Sequence, residues 1–256
     1  MRKNLIIGFD SWTRGARHFE RLVSSFRDQG YELMLVHIGS WGHDKGRPSE
    51  ESIGDLLVRD IKYYNGQTFS SIIEIENPAA VLFLSVQSFA QMAFNRCSLN
   101  AGVPTCHLYH GLVNVQPVNN AHRVYKLSLS SHMRSIVEKS WKNVRHLIPC
   151  YILSLISTKA PIKAWSDLTY LFYCKLLSRR QKKVLIDQVT TCGCVYVQAD
   201  VGHMEKTYGI KVPRIHVVGN PDQIQFGMEN TDLGIAMRTA RASSSEIIYI
   251  DAGLCQ

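Results

Sequence analysis

Short apolar runs alternate along this chain with segments of helical period, and that order constrains the fold more than any other feature. Residues 5–9, Leu-Ile-Ile-Gly-Phe, read as a strand buried on both faces of a parallel sheet. Asp10-Ser11-Trp12-Thr13-Arg14-Gly15 follows as a loop. Phe19, Leu22, Val23 and Phe26 then recur at helical spacing, and Gly30 closes the helix before a second strand over 31–38. Strand, loop, helix and strand make a βαβ unit. Residues 39–51 are polar and hold Gly, Ser and Pro, as a loop does. Residues 56–64 suit a short strand or a buried turn, and 68–75 a helix stopped by Asn77-Pro78. A strand over 80–85, a helix over 89–99 and a strand over 104–109, running into His110-Gly111, continue the alternation. The fold class predicted is α/β, a Rossmann-like doubly wound parallel sheet.

The middle of the chain departs from this rhythm. Residues 121–183 are mostly of helical pattern, broken at Pro149 and Pro161, with apolar stretches at 147–156 and 168–177. The alternation resumes with a strand over 194–198, a helix over 201–208 and a strand over 215–218 that runs into Gly219-Asn220-Pro221. A helix over 232–242 and a strand over 246–251 follow. That last strand either pairs at the edge of the first sheet or opens a further βα unit, and the second reading is the one favoured. The organisation expected is therefore a Rossmann-like domain over 1–220 with a helical basic insert at about 121–185. Residues 221–256 are expected to be a linker and the first strand of a truncated second domain.

Charge is concentrated in the same middle section. The chain carries 29 Lys and Arg against 21 Asp and Glu, a net +8. Residues 134–183 hold eleven of the basic residues and two acids, Glu138 and Asp167, so that the segment is +9 and the rest of the chain −1. Apolar residues, Trp165, Tyr170 and Tyr173 interleave with this charge, a composition suited to an anionic membrane surface or to a solvated helical insert. A nucleic-acid partner is not expected, because no recognised binding motif accompanies the basic residues. The seven cysteines form no CxxC pair and sit mostly in apolar runs, as reduced thiols do. Cys192 and Cys194, with His203 nearby, lack a second ligand pair at suitable spacing, so no metal is expected. The apolar run after Met1 is too short for a signal peptide, and no stretch reaches the roughly 18 apolar residues of a membrane span. A cytoplasmic protein is expected, with the inner membrane surface as a place for the basic segment.

Open α/β sheets bind ligands beyond the carboxyl ends of their strands, and three stretches fall there. Asp10, Arg14 and Gly15 follow the first strand; a carboxylate there can contact a hydroxyl, and a helix start can hold an anion. His110 and Gly111 follow the strand over 104–109, and an imidazole titrating near pH 6.5 suits proton transfer. Gly219, Asn220 and Pro221 end the strand over 215–218, as an ordinary turn or an interdomain hinge. The GxGxxG, GxxxxGK[ST] and GxSxG patterns do not occur.

Taken together, the βαβ start with a Gly-containing loop, the strand ending in His110-Gly111 and the strand ending in Gly219-Asn220-Pro221 resemble the N-terminal half of GT-B glycosyltransferases. Bacterial surface-polysaccharide transferases, CDP-glycerol glycerophosphotransferases and nucleotide-sugar 2-epimerases are the relatives this resemblance suggests. It implies transfer of a sugar from a nucleotide-sugar donor to a saccharide acceptor, without a cofactor or an active-site metal. It also implies His110 as general base or binder of the transferred group, with Asp10, Arg14, Gly15 and Gly111 on the acceptor side. Gly219, Asn220 and Pro221 would lead toward the donor domain. The competing expectation is a non-catalytic module that binds carbohydrate or protein, or a truncated remnant.

Overall fold

The computed structural model describes residues 3–42, 46–109, 143–176 and 181–219, and through Val218 these form one compact unit. The fold is α/β, built on an eight-stranded, mostly parallel sheet. Its strands are β1 (Leu5–Phe9), β2 (Glu32–His37), β3 (Glu50–Ile53), β4 (Leu56–Asp60), β5 (Ala80–Phe83), β6 (Thr105–Leu108), β7 (Cys192–Val195) and β8 (Ile215–Val217). They lie in the order β3-β4-β2-β1-β5-β6-β7-β8. All neighbours pair in parallel except β3 with β4. The helices described are α1 (Trp12–Glu20), α2 (Val23–Arg27), α3 (Phe69–Glu76), α4 (Phe89–Asn100), α5 (Ile148–Ser157), α6 (Ile162–Leu176) and α7 (Val201–Tyr208).

Side chains alternate across the central strands, and each face makes its own core. Leu5, Ile7 and Phe9 of β1 join Val81 and Phe83 of β5 against α3, α4, α5 and α6. Phe9 stacks on Phe94 at 4.2 Å, with Phe69 edge-on to both rings. On the other face Ile6, Leu33 and Leu35 meet Ala16, Phe19 and Val23 of α1 and α2. Gly8 lets this layer close: a Cβ there would stand 2.6 Å from the Phe19 ring.

Local chemistry sets the helix ends. Thr68 accepts the Ser71 N–H at 3.2 Å to start α3, and Asn77, at φ 46°, ends it in the left-handed region. Ser88 and Gln91 form a capping box at the start of α4. Among the described residues no helix is long and apolar enough to cross a membrane.

Three expectations are corrected. The loop expected over residues 10–15 is mostly the first turns of α1, which begins at Trp12; the helix then breaks at Arg21-Leu22 and resumes as α2. Gly15 lies in this helix, where α1 approaches β2 too closely for a side chain: a Cβ at Gly15 would lie 2.6 Å from Leu35 Cδ1. The strand expected over 194–198 starts at Cys192 and stops at Val195. The loop expected over 39–51 ends in β3, which returns as β4 through Gly54-Asp55, with Gly54 at φ 55°. The expectations for 121–142, 232–242 and 246–251 lie outside the described residues.

Candidate functional site

The parallel strands all point their carboxyl ends to one edge of the sheet. From β1 the chain moves outward to β2 and then β4; it returns through α3 to β5 on the other side of β1. The order therefore reverses between β1 and β5, which is where open α/β sheets form their ligand crevice. Asp10 is the first residue beyond β1 and is 3 % exposed. Its Oδ1 accepts the Ser11 N–H at 2.5 Å, and Ser11 is the N-cap residue of α1. The carboxylate thus sits where unpaired backbone N–H groups gather positive potential. On the β5 side, Gln91 Oε1 accepts from the N–H groups of Gln87 and Ser88 at 3.1 and 3.0 Å, so the start of α4 is closed by its own cap.

Tyr109 is the first residue beyond β6 and leads into His110. Its ring lies 5.8 Å from His203 and 6.2 Å from Tyr208, both of α7, and the buried His107 meets Tyr208 edge-on at 4.2 Å. Burial pushes the Tyr109 phenol above its ordinary range, and the neighbouring Tyr208 and Asp200 push the same way. Burial raises Tyr208 likewise. Both phenols are neutral near pH 7 and act there as hydrogen-bond donors.

A second polar group occupies the ends of β2 and β4. His37 and Asp60 are paired in register and both are buried. Nδ1 of His37 stands 3.2 Å from Asp60 Oδ2 and 3.0 Å from the Gly39 nitrogen. Asp60 also accepts the N–H groups of Ser40 at 2.8 Å and Lys62 at 2.9 Å. This carboxylate shapes two turns. Beside it opens a cavity of about 430 Å³, lined by Trp41, Lys62, Thr68, Arg145, His146 and Leu153 among others. Its Trp41 is occupied by His146, stacked at 5.4 Å, and the cavity wall carries no carboxylate.

A third cluster lies across β6 and β7. Cys106 is in register with Cys192, and its Sγ is 3.5 Å from that of Cys194. Hydrogen bonding by the Cys106 thiol lowers Cys192 to about 7 and lowers Cys194 as well, while Cys106 itself is pushed far up. Among the described residues, no group of three or more His, Cys, Asp or Glu has the arrangement of a metal site.

Of the residues singled out in the sequence, Asp10 stands at the switch point, Gly15 in α1 and Gly219, at φ 75°, just beyond β8. Arg14 lies in α1, with its side chain outside the described atoms. His110, Gly111, Asn220 and Pro221 lie outside the described residues. Sequence reasoning missed the Tyr109–His203–Tyr208 group, His37–Asp60 and the partnership of Cys106 with Cys192 and Cys194. The available signal was that His37, Asp60 and Tyr109 each end or follow an apolar run, the position that had singled out Asp10. No protein-family model matches the chain, and no curated protein matches it.

Proposed function

We propose that the chain is the acceptor-side domain of a GT-B-like glycosyltransferase that moves a sugar from a nucleotide-sugar donor to a saccharide acceptor in surface-polysaccharide assembly. It works in the cytoplasm, at the inner face of the membrane. The observation that carries the reading is the buried Asp10 carboxylate at the point where the strand order reverses. A sugar hydroxyl placed beyond β1 donates to that carboxylate, which fixes the acceptor without a metal ion. Tyr109 brings the chain to the same edge, and the residue after it, His110, serves as the general base that takes the acceptor proton. Arg14, Gly15 and Gly111 belong to the acceptor side in this reading, and Gly219, Asn220 and Pro221 lead toward a donor domain.

The test is sugar transfer from a panel of nucleotide sugars to oligosaccharide acceptors, with the wild type, Asp10→Asn and His110→Ala compared. Asparagine keeps the shape of Asp10 and an oxygen for the Ser11 N–H. Asp10→Asn should therefore melt within a few degrees of the wild type and lose on the order of a hundredfold or more in turnover. His110→Ala should do the same. Near-normal turnover by either variant removes that residue from the mechanism. Saccharide binding with no transfer from any donor would instead identify a non-catalytic carbohydrate-binding module.

A further inference from the structure

Helix α6 has two apolar faces, one buried in the fold and one whose residues stand partly exposed. Ala164, Leu168, Leu171 and Cys174 are buried. Asp167 is buried with them, accepting from Lys183 Nζ at 2.7 Å and from the Ile186 N–H at 2.9 Å. The opposite face is also apolar. Ile162 is 88 % exposed, Trp165 37 %, Phe172 40 % and Tyr173 47 %. Ile162, Trp165, Thr169 and Phe172 follow one another at three- and four-residue steps, which places them along a single stripe. A soluble helix normally turns charge outward at such positions.

The charge that is present has one sign. Lys159 and Lys163 are exposed at the start of α6. Lys182 and Lys183 are exposed alongside its middle: the Lys182 N–H donates to the Tyr170 hydroxyl at 2.9 Å, and Lys183 Nζ lies 4.6 Å over the Tyr170 ring. The one acid between Asn143 and Lys183 is Asp167, buried and paired. The outer face of α6 is therefore aromatic and aliphatic, bordered by lysines, and holds no exposed carboxylate.

We infer that this face of α6 docks on an anionic lipid bilayer, with Ile162 and Trp165 entering the boundary between headgroups and acyl chains and Lys159, Lys163 and Lys182 against the headgroups. An amphipathic helix with aromatic residues on its apolar face and cations beside it lies in that plane. Each lysine near such a surface strengthens binding by about fivefold at low salt. A symmetric contact with a second copy would bring two lysine-bordered faces together with no exposed carboxylate on either to offset them, which like-charge repulsion opposes. This docking rests on the membrane side of the proposed function alone; vesicle binding and sugar transfer are measured separately, so failure of one is distinguishable from failure of the other.

The experiment is co-sedimentation of the whole chain with phosphatidylcholine vesicles, with and without about 30 mol% phosphatidylglycerol, at salt from about 50 to about 300 mM. The wild type should bind the anionic vesicles at least about tenfold more tightly than the neutral ones and lose that preference as salt rises. Ile162→Ser with Trp165→Ser alters positions outside the core, so it should melt within a few degrees of the wild type and lose at least about tenfold in vesicle binding. Lys159→Glu with Lys163→Glu should abolish the preference for anionic lipid. Absence of binding at the lowest salt, or equal binding by the variants, would overturn the inference. So would salt-sensitive binding to a single-stranded oligonucleotide with none to vesicles, or a dimer that the Ile162 and Trp165 substitutions dissociate.

Discussion

Cys106 is far in the sequence from Cys192 and Cys194, yet the three thiols behave as one chemical group at β6 and β7. Cys106 contributes the S–H that its two neighbours on β7 need to carry charge, and the result is a thiolate-prone Cys192 at about 7. Cys97 stands at the other extreme: burial pushes it up to about 11, against the opposing effect of the Ser70 hydroxyl. The thiolate is the reactive form, so alkylation by iodoacetamide should divide the cysteines. At pH 8 Cys192 should react on the order of tenfold faster than Cys97, less than the thiolate fractions alone imply because nucleophilicity falls with pKa. Below about pH 7 the Cys192 rate should fall about tenfold per pH unit. Cys106→Ala removes the hydrogen-bond donor and should move that midpoint upward, as peptide mapping after a timed pulse would read. Equal rates at Cys192 and Cys97, or a midpoint unmoved by Cys106→Ala, would mean the hydrogen bond does not set reactivity. The sequence displayed Cys192 and Cys194 as an i, i+2 pair on one strand face. It could not display Cys106, because the register of two parallel strands joined by a long crossover is fixed by packing across the whole molecule.

At the level of elements, a single buried acid joins α4, α5 and the segment that enters β7. Asp187 is gripped by Arg96 at 2.6 and 2.9 Å and by the Tyr151 hydroxyl at 2.6 Å. Asn95 donates to the backbone oxygens of Asp187 and Val189 at 2.9 and 3.0 Å. Burial, and after it the Asp187 carboxylate, push the Tyr151 phenol well above its ordinary range, so it stays a donor throughout neutral pH. Asp187→Ala strands a nearly buried guanidinium and a buried hydroxyl together. The loss should be about 3–5 kcal/mol. That corresponds to roughly 10 °C in melting temperature for a domain of this size, read by calorimetry. A drop of only a degree or two would show that water replaces the carboxylate and that packing alone holds α5 to α4. None of this was legible beforehand: Asp187 follows the Val184-Leu185-Ile186 run and looks like an ordinary strand-entry residue. The elements themselves were more readable. β1 and α7 have the bounds their apolar pattern gives, Leu5–Phe9 and Val201–Tyr208. β3 was hidden because Glu50–Ile53 is nowhere fully buried and carries two adjacent acids. Its turn, Gly54-Asp55 between Ile53 and Leu56, was the signal to read.

For the molecule as a whole, the two directions of chain progress from β1 decide which strands are protected. β1 is hydrogen-bonded on both sides, to β2 and β5, and lies between the α1–α2 layer and the α3–α4 layer. All five of its residues are buried. β2 and β5 share most of this shelter. β3, antiparallel at one margin, alternates between exposed and half-buried residues. β8, outermost of the described strands at the other margin, has three residues and none fully buried. This gradient was implicit in the sequence, where the uninterrupted apolar runs belong to β1, β2 and β5 and the mixed ones to the margins. The same gradient places Asp10 directly after the most sheltered strand, which is what the proposed acceptor site would need to hold a hydroxyl in one position. Opening of the margins should not require opening of the centre. Amides of β1, β2 and β5 should therefore exchange with deuterium on the order of a hundredfold or more slowly than those of β3 and β8. Exchange that is uniform across the sheet would show one all-or-none unfolding unit and remove the case for a rigid centre beneath Asp10. Fast exchange confined to β8, with β3 as slow as β1, would leave the rigid centre intact but extend it to the hairpin margin.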